Sequence, residues 1–371
     1  MKILVTGSNG FIAKNLIQFL VEKQDVEILK YSKESTVQEL EEKVKIADWI
    51  VHLAGVNRPQ NEQEFIDGNV GLTDKICSIL KAHHLKTPVI ISSSIQAERD
   101  NAYGQSKLAG EQTLIDLHQT QGNPVYICRL ANVFGKWSRP NYNSAVATFC
   151  YNVANDLPIE IHDENANIRL VYIDDVVETF WYIIQGTYKP NSQIFGVEPE
   201  YQISVGQLAQ TLQDFKNSRK TLITDEVGVG LKRALYSTYL SFLSPKQFDY
   251  AVPKYGDQRG VFVEMLKTPT AGQFSYFTAH PGITRGGHYH HTKTEKFLVI
   301  KGKALFKFKH LITGEYYQLE TTGDEPRIVE TVPGWTHDIT NIGDDEMVVM
   351  LWANEIFDRE KPDTYVMPLT V

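Results

Sequence analysis

The run Lys2-Ile3-Leu4-Val5-Thr6-Gly7-Ser8-Asn9-Gly10-Phe11-Ile12-Ala13 decides the fold. Its apolar start reads as a buried strand, and the glycine-containing turn after it opens directly into a helix. Glycines let a backbone approach a ligand closely, and the first N–H groups of a helix, together with its dipole, hold a pyrophosphate. Gly7, Asn9, Gly10, Phe11 and Ile12 are therefore candidate cofactor contacts. A lone Gly-x-x-Gly also fits an ordinary strand-to-helix turn, so the motifs farther along the chain have to decide between the two.

Outward from this turn, short apolar runs alternate with amphipathic stretches as far as about residue 185: Val26 to Leu29, Trp49 to Leu53, Val89 to Ile91 and Val125 to Cys128. Such alternation predicts a parallel sheet covered by helices on both faces. From about 255 the texture changes. Segments such as Gly260 to Leu266 and Ala304 to Lys309 alternate apolar and polar residues between Gly and Pro, which predicts a small antiparallel barrel. The boundary is placed near 245, giving domains 1–245 and 246–371. Leu235 to Tyr250 is too aromatic for a free linker and is expected to pack against a domain.

The 371 residues, 42% of them hydrophobic, are enough for two cores. A net charge of -8 and a pI of about 5.8 argue against a large basic face for nucleic acid or an acidic membrane. Cys77, Cys128 and Cys150 form no Cys-x-x-Cys pair, so reduced core cysteines are expected. With no apolar signal region and no run of about 18 apolar residues, a soluble cytoplasmic protein is expected.

Tyr103-Gly104-Gln105-Ser106-Lys107 sets Tyr103 and Lys107 one helical turn apart on one face. A nearby ammonium favours the phenolate, making the hydroxyl a usable proton donor or acceptor near neutrality. Upstream, Ile91-Ser92-Ser93-Ser94 ends a strand, where a hydroxyl can hold a substrate oxygen.

Taken with the glycine loop, His52-Leu53-Ala54-Gly55, Arg129 to Gly135 and Val171-Tyr172-Ile173-Asp174-Asp175-Val176-Val177, these motifs resemble the extended short-chain dehydrogenases/reductases of the nucleotide-sugar type, over residues 1 to about 240. The resemblance implies a Rossmann-like α/β domain with Ser94, Tyr103 and Lys107 as the catalytic set. Ala13 stands where many members have Gly, a change that binding tolerates. The span from Lys33 to Asp48 lacks the usual strand beside the adenine, so the sheet is expected to be one strand short. The second strand ends Lys30-Tyr31-Ser32-Lys33 without the acidic residue that grips a ribose 2′-hydroxyl. This favours NADPH, with Lys33, Leu53, Ala54, Tyr103 and Lys107 joining the cofactor contacts. Ile95-Gln96-Ala97 replaces the acidic pair of 4,6-dehydratases, which leaves reduction or epimerisation at C4.

In the second half, His288-x-His290-x-x-x-x-Glu295 precedes Pro333-Gly334-Trp335-Thr336-His337. Strand alternation sends His288 and His290 to one face, and hairpin pairing is expected to bring Glu295 and His337 to them. Three imidazoles and a carboxylate suit Zn²⁺, Mn²⁺, Fe²⁺ or Ni²⁺, with zinc the leading expectation. The spacing resembles both cupin motifs and implies a jelly-roll barrel over about 255–371. His291, His83 and His84 are expected to be surface or satisfied histidines. Asp257-x-Arg259-Gly260-x-Phe262-x-Glu264, Gln273 and Gly282-x-x-Arg285-Gly286-x-His288-Tyr289 also look like the metal-free sugar 3,5-epimerases, in which the histidine matching His288 is a catalytic base. His288 is thus ligand, base or neither, with ligand favoured. Arg259 and Arg285 either clamp a pyrophosphate or make surface ion pairs.

Both halves point to a nucleotide-linked 4-keto sugar. A C3 proton is acidic only while C4 is a carbonyl, so epimerisation has to precede reduction. The domain order, with Ser92 to Ala97 and Asn141 to Ser144, resembles the bifunctional dehydrogenase–cupin enzymes of bacterial capsule and O-antigen synthesis over essentially the whole chain. That resemblance implies a UDP-linked 4-keto-6-deoxy-HexNAc substrate and a UDP-2-acetamido-2,6-dideoxy-L-talose product. By analogy it also implies a homodimer. The rival is an NAD-dependent C4 epimerase with a cupin that only binds sugar or dimerises.

Overall fold

The computed structural model describes the chain apart from residues 58, 60, 62, 254, 258–259, 263–264, 267, 269–271, 356–357, 359 and 370–371. In chain order its first elements are β1 (Lys2–Thr6), α1 (Phe11–Val21), β2 (Glu27–Tyr31), α2 (Val37–Ile46), β3 (Trp49–His52), α3 (Gln63–Ile66), α4 (Leu72–Ala82), β4 (Val89–Ser94) and α5 (Ala102–Gln121). Next come β5 (Val125–Leu130), β6 (Asn132–Phe134), α6 (Ala145–Ala154), β7 (Asn167–Tyr172), α7 (Ile173–Ile184), β8 (Ile194–Phe195), β9 (Glu200–Ser204), α8 (Val205–Thr221) and α9 (Gly230–Leu240). The rest is strand: β10 (Asp249–Ala251), β11 (Tyr255–Asp257), β12 (Gly260–Phe262), β13 (Gln273–Ala279), β14 (Thr284–Tyr289) and β15 (Glu295–Lys301). It ends with β16 (Lys303–His310), β17 (Tyr316–Thr322), β18 (Arg327–Glu330), β19 (Trp335–Asn341), β20 (Met347–Ala353) and β21 (Tyr365–Val366).

Met1–Ser144 and Asn167–Ile203 form one compact unit. Its parallel sheet runs β2-β1-β3-β4-β5-β8. Ile3, Leu4, Val5, Ile50, Val51, Val89 and Ile90 are all fully buried, as expected of strands covered on both faces. Each such side chain contributes about 1.5–3 kcal/mol relative to exposure. The sheet is short at its β2 edge: after β2 the chain enters α2, started by a Thr36–Glu39 capping box, and passes straight to β3.

Ala145–Ala166 and Ser204–Val371 form the second unit, so α6, α8 and α9 group with the strands after them. The boundary placed near 245 falls inside this unit, between α9 and β10. Two antiparallel sheets, β10-β18-β15-β20-β13 and β17-β16-β19-β14-β21, make an all-β, cupin-like body. Phe297 of the first sheet meets Phe306 and His337 of the second, at 5.7 and 6.4 Å between ring centroids. The tyrosine-rich stretch does pack. Tyr236 and Tyr239 are fully buried and edge Phe215 of α8 at 5.0 and 6.2 Å. Beside them a buried ion pair joins Lys296 of β15 to Glu330 of β18, with Arg219 of α8 at 3.3 Å from Glu330 and Tyr250 Oη at 3.0 Å from Lys296 Nζ. Deleting one partner of such a pair costs about 3–5 kcal/mol because the other is left buried and uncompensated. All three cysteines are buried and unpaired.

Candidate functional sites

Gly7, Asn9 and Gly10 form the turn between β1 and α1, and Phe11 and Ile12 begin the helix. Gly10 is the N-cap, no side chain caps the helix, and its first turn holds no acidic residue. The N-terminal N–H groups are thereby left to a ligand, and the donor set fits a dinucleotide pyrophosphate. Leu53 and Ala54 sit beside this turn because their N–H groups donate to Thr6 Oγ1, at 3.2 and 3.3 Å. His52 braces the same point between Thr6 Oγ1 (2.7 Å) and Thr73 Oγ1 (2.9 Å), and burial pushes its pKa down to about 3. It is a neutral structural tie. Lys33 lies just beyond β2, but the next residue, Glu34, accepts from Ser32 Oγ and from Asn9 Nδ2 at 3.1 Å. A reading that stops at Lys33 misses this carboxylate beside the glycine turn.

Ser94 ends β4 and Tyr103 lies in the first turn of α5, where Asn101 caps Gly104 N–H at 2.8 Å. The two meet because residue 104 is glycine. A Cβ there would stand 2.2 Å from the Gln96 carbonyl oxygen and 2.6 Å from that of Arg99, so any side chain would push α5 away from the turn after Ser94. Burial raises the Tyr103 pKa, and a hydrogen bond with Ser94 opposes the rise. The lowering expected from Lys107 is not what this geometry gives: the ammonium donates instead to the Ser92 carbonyl, at 3.1 Å. Burial brings Lys107 down to about 8, while Glu111, one turn farther along α5, pulls it back up.

Glu111 escaped the sequence reading. It is buried, accepts from Ser93 Oγ, and takes Arg129 through Nε and Nη2 at 2.9 and 2.6 Å; Arg129 Nη1 also reaches Glu98, at 2.8 Å. This network ties β4, α5 and β5 together. Its only trace in the sequence was an acidic residue four after Lys107.

In the second unit His288, His290, Glu295 and His337 converge, each offering one ligand atom with all four atoms inside 4.8 Å. His288 and His337 are cross-strand partners on β14 and β19. A bulge at Gly286–His288 sets that register, and it needs glycine: Gly286 and Gly287 have φ of +106° and +73°, and a Cβ on Gly286 would lie 2.9 Å from the backbone at 337–338. Glu295 does not arrive by hairpin pairing with the histidine strand, as expected from the sequence. It starts β15 in the facing sheet and reaches across the barrel, its Oε2 3.1 Å from His290 Nε2 and 3.6 Å from His337 Nε2.

Both ring nitrogens of buried His337 lack a hydrogen-bond partner among the described residues, which a coordinated cation would explain. Burial, then the neighbouring imidazoles, hold His288 near 3, so its ring is neutral and carries a lone pair. Burial alone would raise Glu295; His290 and His337 outweigh it and keep the carboxyl well below the usual range. This donor set fits a divalent ion of the zinc type. His83 instead bonds Glu41 and His291 stacks edge-on to Tyr365; neither joins the cluster, nor does His84. Arg285 covers Phe277 and donates to the Thr278 carbonyl at 3.1 Å, while Arg259 and Glu264 lie outside the described residues.

A glycine turn opening the first helix of a parallel sheet, with a serine at the end of β4 and a tyrosine and lysine on the helix that follows, defines a nicotinamide-dependent enzyme of the short-chain type. The chain belongs to the NAD dependent epimerase/dehydratase family, whose model matches residues 3–197; residues 255–365 match the polysaccharide biosynthesis C-terminal domain. It is 59% identical over 98% of both chains to the UDP-2-acetamido-2,6-beta-L-arabino-hexul-4-ose reductase of Pseudomonas aeruginosa. Among solved structures it resembles the capsular polysaccharide assembling protein CapF of Staphylococcus aureus, with 42% identity, full coverage of both chains and a TM-score of 0.69. A UDP-glucuronic acid 4-epimerase of Bacillus cereus shares the fold of the first part at 20% identity, covering 58% of this chain and 84% of that one (TM-score 0.53). Among the described residues no helix is long and apolar enough to cross a membrane.

Proposed function

We propose that the chain is a bifunctional nucleotide-sugar enzyme that epimerises C3 of a UDP-linked 4-keto-6-deoxy-HexNAc in its barrel and reduces C4 in its Rossmann-like unit. The product is of the UDP-2-acetamido-2,6-dideoxy-L-talose type. The observation that carries this reading is the pairing, in one chain, of the Ser94–Tyr103–Lys107 arrangement with the His288–His290–Glu295–His337 cluster. End-to-end similarity to a hexul-4-ose reductase supports it.

Gly7, Asn9, Gly10, Phe11, Ile12, Lys33, Leu53 and Ala54 would hold a nicotinamide dinucleotide, which when bound would supply the hydride for C4. Tyr103 gives its phenolic proton to the new alkoxide, and Ser94 holds the same oxygen in place. Lys107 completes the proposed set one turn along α5, its ammonium donating to the Ser92 carbonyl on the strand that ends in Ser94. His288, His290, Glu295 and His337 would hold a divalent ion, which when bound would supply positive charge to the barrel site. His288 acts as ligand in this reading; its being the least buried of the four favours the alternative, in which it takes the C3 proton. His288→Ala separates them, since a ligand's loss lowers metal content and a base's loss spares it.

NADPH is the proposed cofactor because no acidic residue lies within Lys30–Lys33; Glu34 is the observation that favours NADH. The test is incubation with the keto sugar and each reduced cofactor. Stoichiometric cofactor oxidation, faster with NADPH, is expected. Inversion at C4 of a UDP-linked 4-hydroxy sugar with no net cofactor oxidation, and no reduction of the keto sugar, would instead establish the rival, a C4 epimerase that retains NAD.

A further inference from the structure

Four metal ligands in a barrel need something to hold their rings in one orientation, and the C-terminal segment is built against β14, the strand that carries His288 and leads directly into His290. β21 pairs with β14, matching Tyr365 to Tyr289 and Val366 to His288. Met367 N–H donates to the Gly287 carbonyl at 2.8 Å, and Thr336 Oγ1, next to His337, donates to the Met367 carbonyl at 2.5 Å. Lys293 Nζ reaches back to the Pro362 carbonyl (2.9 Å) and Thr364 Oγ1 (2.7 Å).

At the centre of this strap stands Asp363. Its carboxylate accepts three consecutive backbone N–H groups from the turn between His290 and Glu295: those of His291 at 3.0 Å, Thr292 at 2.9 Å and Lys293 at 2.6 Å. Its own carbonyl oxygen accepts a hydrogen bond from His290 Nδ1–H, at 2.6 Å. A backbone carbonyl can only accept, so Nδ1 is the protonated nitrogen and Nε2 is the one turned to Glu295 and the other ligands. Asp363 has a φ of +38°, a conformation outside the common regions that its side-chain bonds hold in place. The turn and the carbonyl therefore move together with this one carboxylate.

We propose that Asp363 is a positioning residue of the metal site, fixing the tautomer and ring orientation of His290 through its carbonyl and locking that carbonyl through its carboxylate. This rests on the four-ligand cluster being a metal site. Outer partners of metal-bound imidazoles are ordinarily worth about 10–100-fold in affinity. Sequence spacing gave no hint of it, because 73 residues separate Asp363 from His290.

The test is titration of the chelator-stripped full chain with Co²⁺, read by visible absorption, and with Zn²⁺ in competition with a chromophoric chelator. Asp363→Ala is expected to weaken metal binding about 10-fold or more and to alter the Co²⁺ spectrum. Asp363→Asn keeps one acceptor oxygen and should fall between it and the unaltered chain. Near-ultraviolet circular dichroism reports whether the aromatic barrel stays folded; if Asp363→Ala loses that signal, Asp363→Asn carries the comparison. Affinity and spectrum unchanged in a folded variant would overturn the inference. No Co²⁺ binding by the unaltered chain would overturn the metal site itself, and the inference with it.

Discussion

The two sites of this chain are assembled by opposite means. In the Rossmann-like unit the proposed reacting groups are near neighbours in sequence: Tyr103 and Lys107 share a helix, and Ser94 ends the strand just before it. In the barrel the ligands come from two facing sheets and from a stretch of 50 residues, 288 to 337, with the C-terminal strap laid against one of their strands. A helix enforces its spacing by itself, whereas a barrel site exists only when both sheets are in register. Damage to the first site should therefore be confined to chemistry, while damage to the second should spread to metal content and folding.

The largest effect that sharpens this contrast is Tyr103→Phe. Ketoreduction is expected to fall by about 10²–10⁴-fold, the usual worth of a positioned proton donor, while solvent exchange at C3 continues. Full reductase activity in the variant would remove the assignment. Removing the metal with a chelator should do the converse: C3 exchange stops, and reduction of an already epimerised ketone goes on. If both activities survive, the four ligands serve structure alone.

Gly104→Ala comes next. The added methyl meets the Gln96 carbonyl, so α5 shifts and Tyr103 leaves Ser94. A misplacement near 1 Å costs about 10²-fold in rate, to be read as a loss of kcat with the dinucleotide still bound. An unchanged kcat would mean that the helix does not need this close approach.

The smallest effect concerns pH. With its pKa brought to about 8, Lys107 carries its charge below that value and loses it above, so reductase activity should decline as pH rises through 8. Glu111→Gln removes the group that raises this pKa, alongside Ser92 on β4 and His52 on β3, neither of which carries compensating negative charge. The alkaline limb is therefore expected to move to lower pH. A limb that stays put would show that Glu111 acts only through Arg129 and Ser93.

What the sequence disclosed divides along the same line. The strand–turn–helix at Lys2–Val21, the missing strand after β2, the serine–tyrosine–lysine set and the histidine spacing were all legible, because each depends on local periodicity or on short offsets along the chain. The origin of Glu295 was not. Strand alternation tells which face a residue occupies, but only sheet pairing tells which sheet it belongs to, and β15 pairs with β18 and β20 instead of with β14. Glu34 was passed over because the search for an acidic residue stopped at Lys33, whereas β2 ends at Tyr31 and the carboxylate comes from the turn beyond it. The direction of the Tyr103 shift was missed for a tertiary reason: burial dominates, and the Lys107 ammonium points at Ser92. Glu111 and Asp363 act through partners 18 and about 70 residues away, and no local pattern marks such contacts.

The most direct test is to incubate the purified protein with a UDP-4-keto-6-deoxy-HexNAc and NADPH in D₂O and monitor the sugar by NMR. Deuterium at an inverted C3 together with protium delivered to C4 is the expected pattern, since solvent supplies the first hydrogen and the cofactor the second. A reduced sugar with protium retained at C3, or no consumption of reduced cofactor, would contradict the claim that one carbonyl serves both halves of the chain.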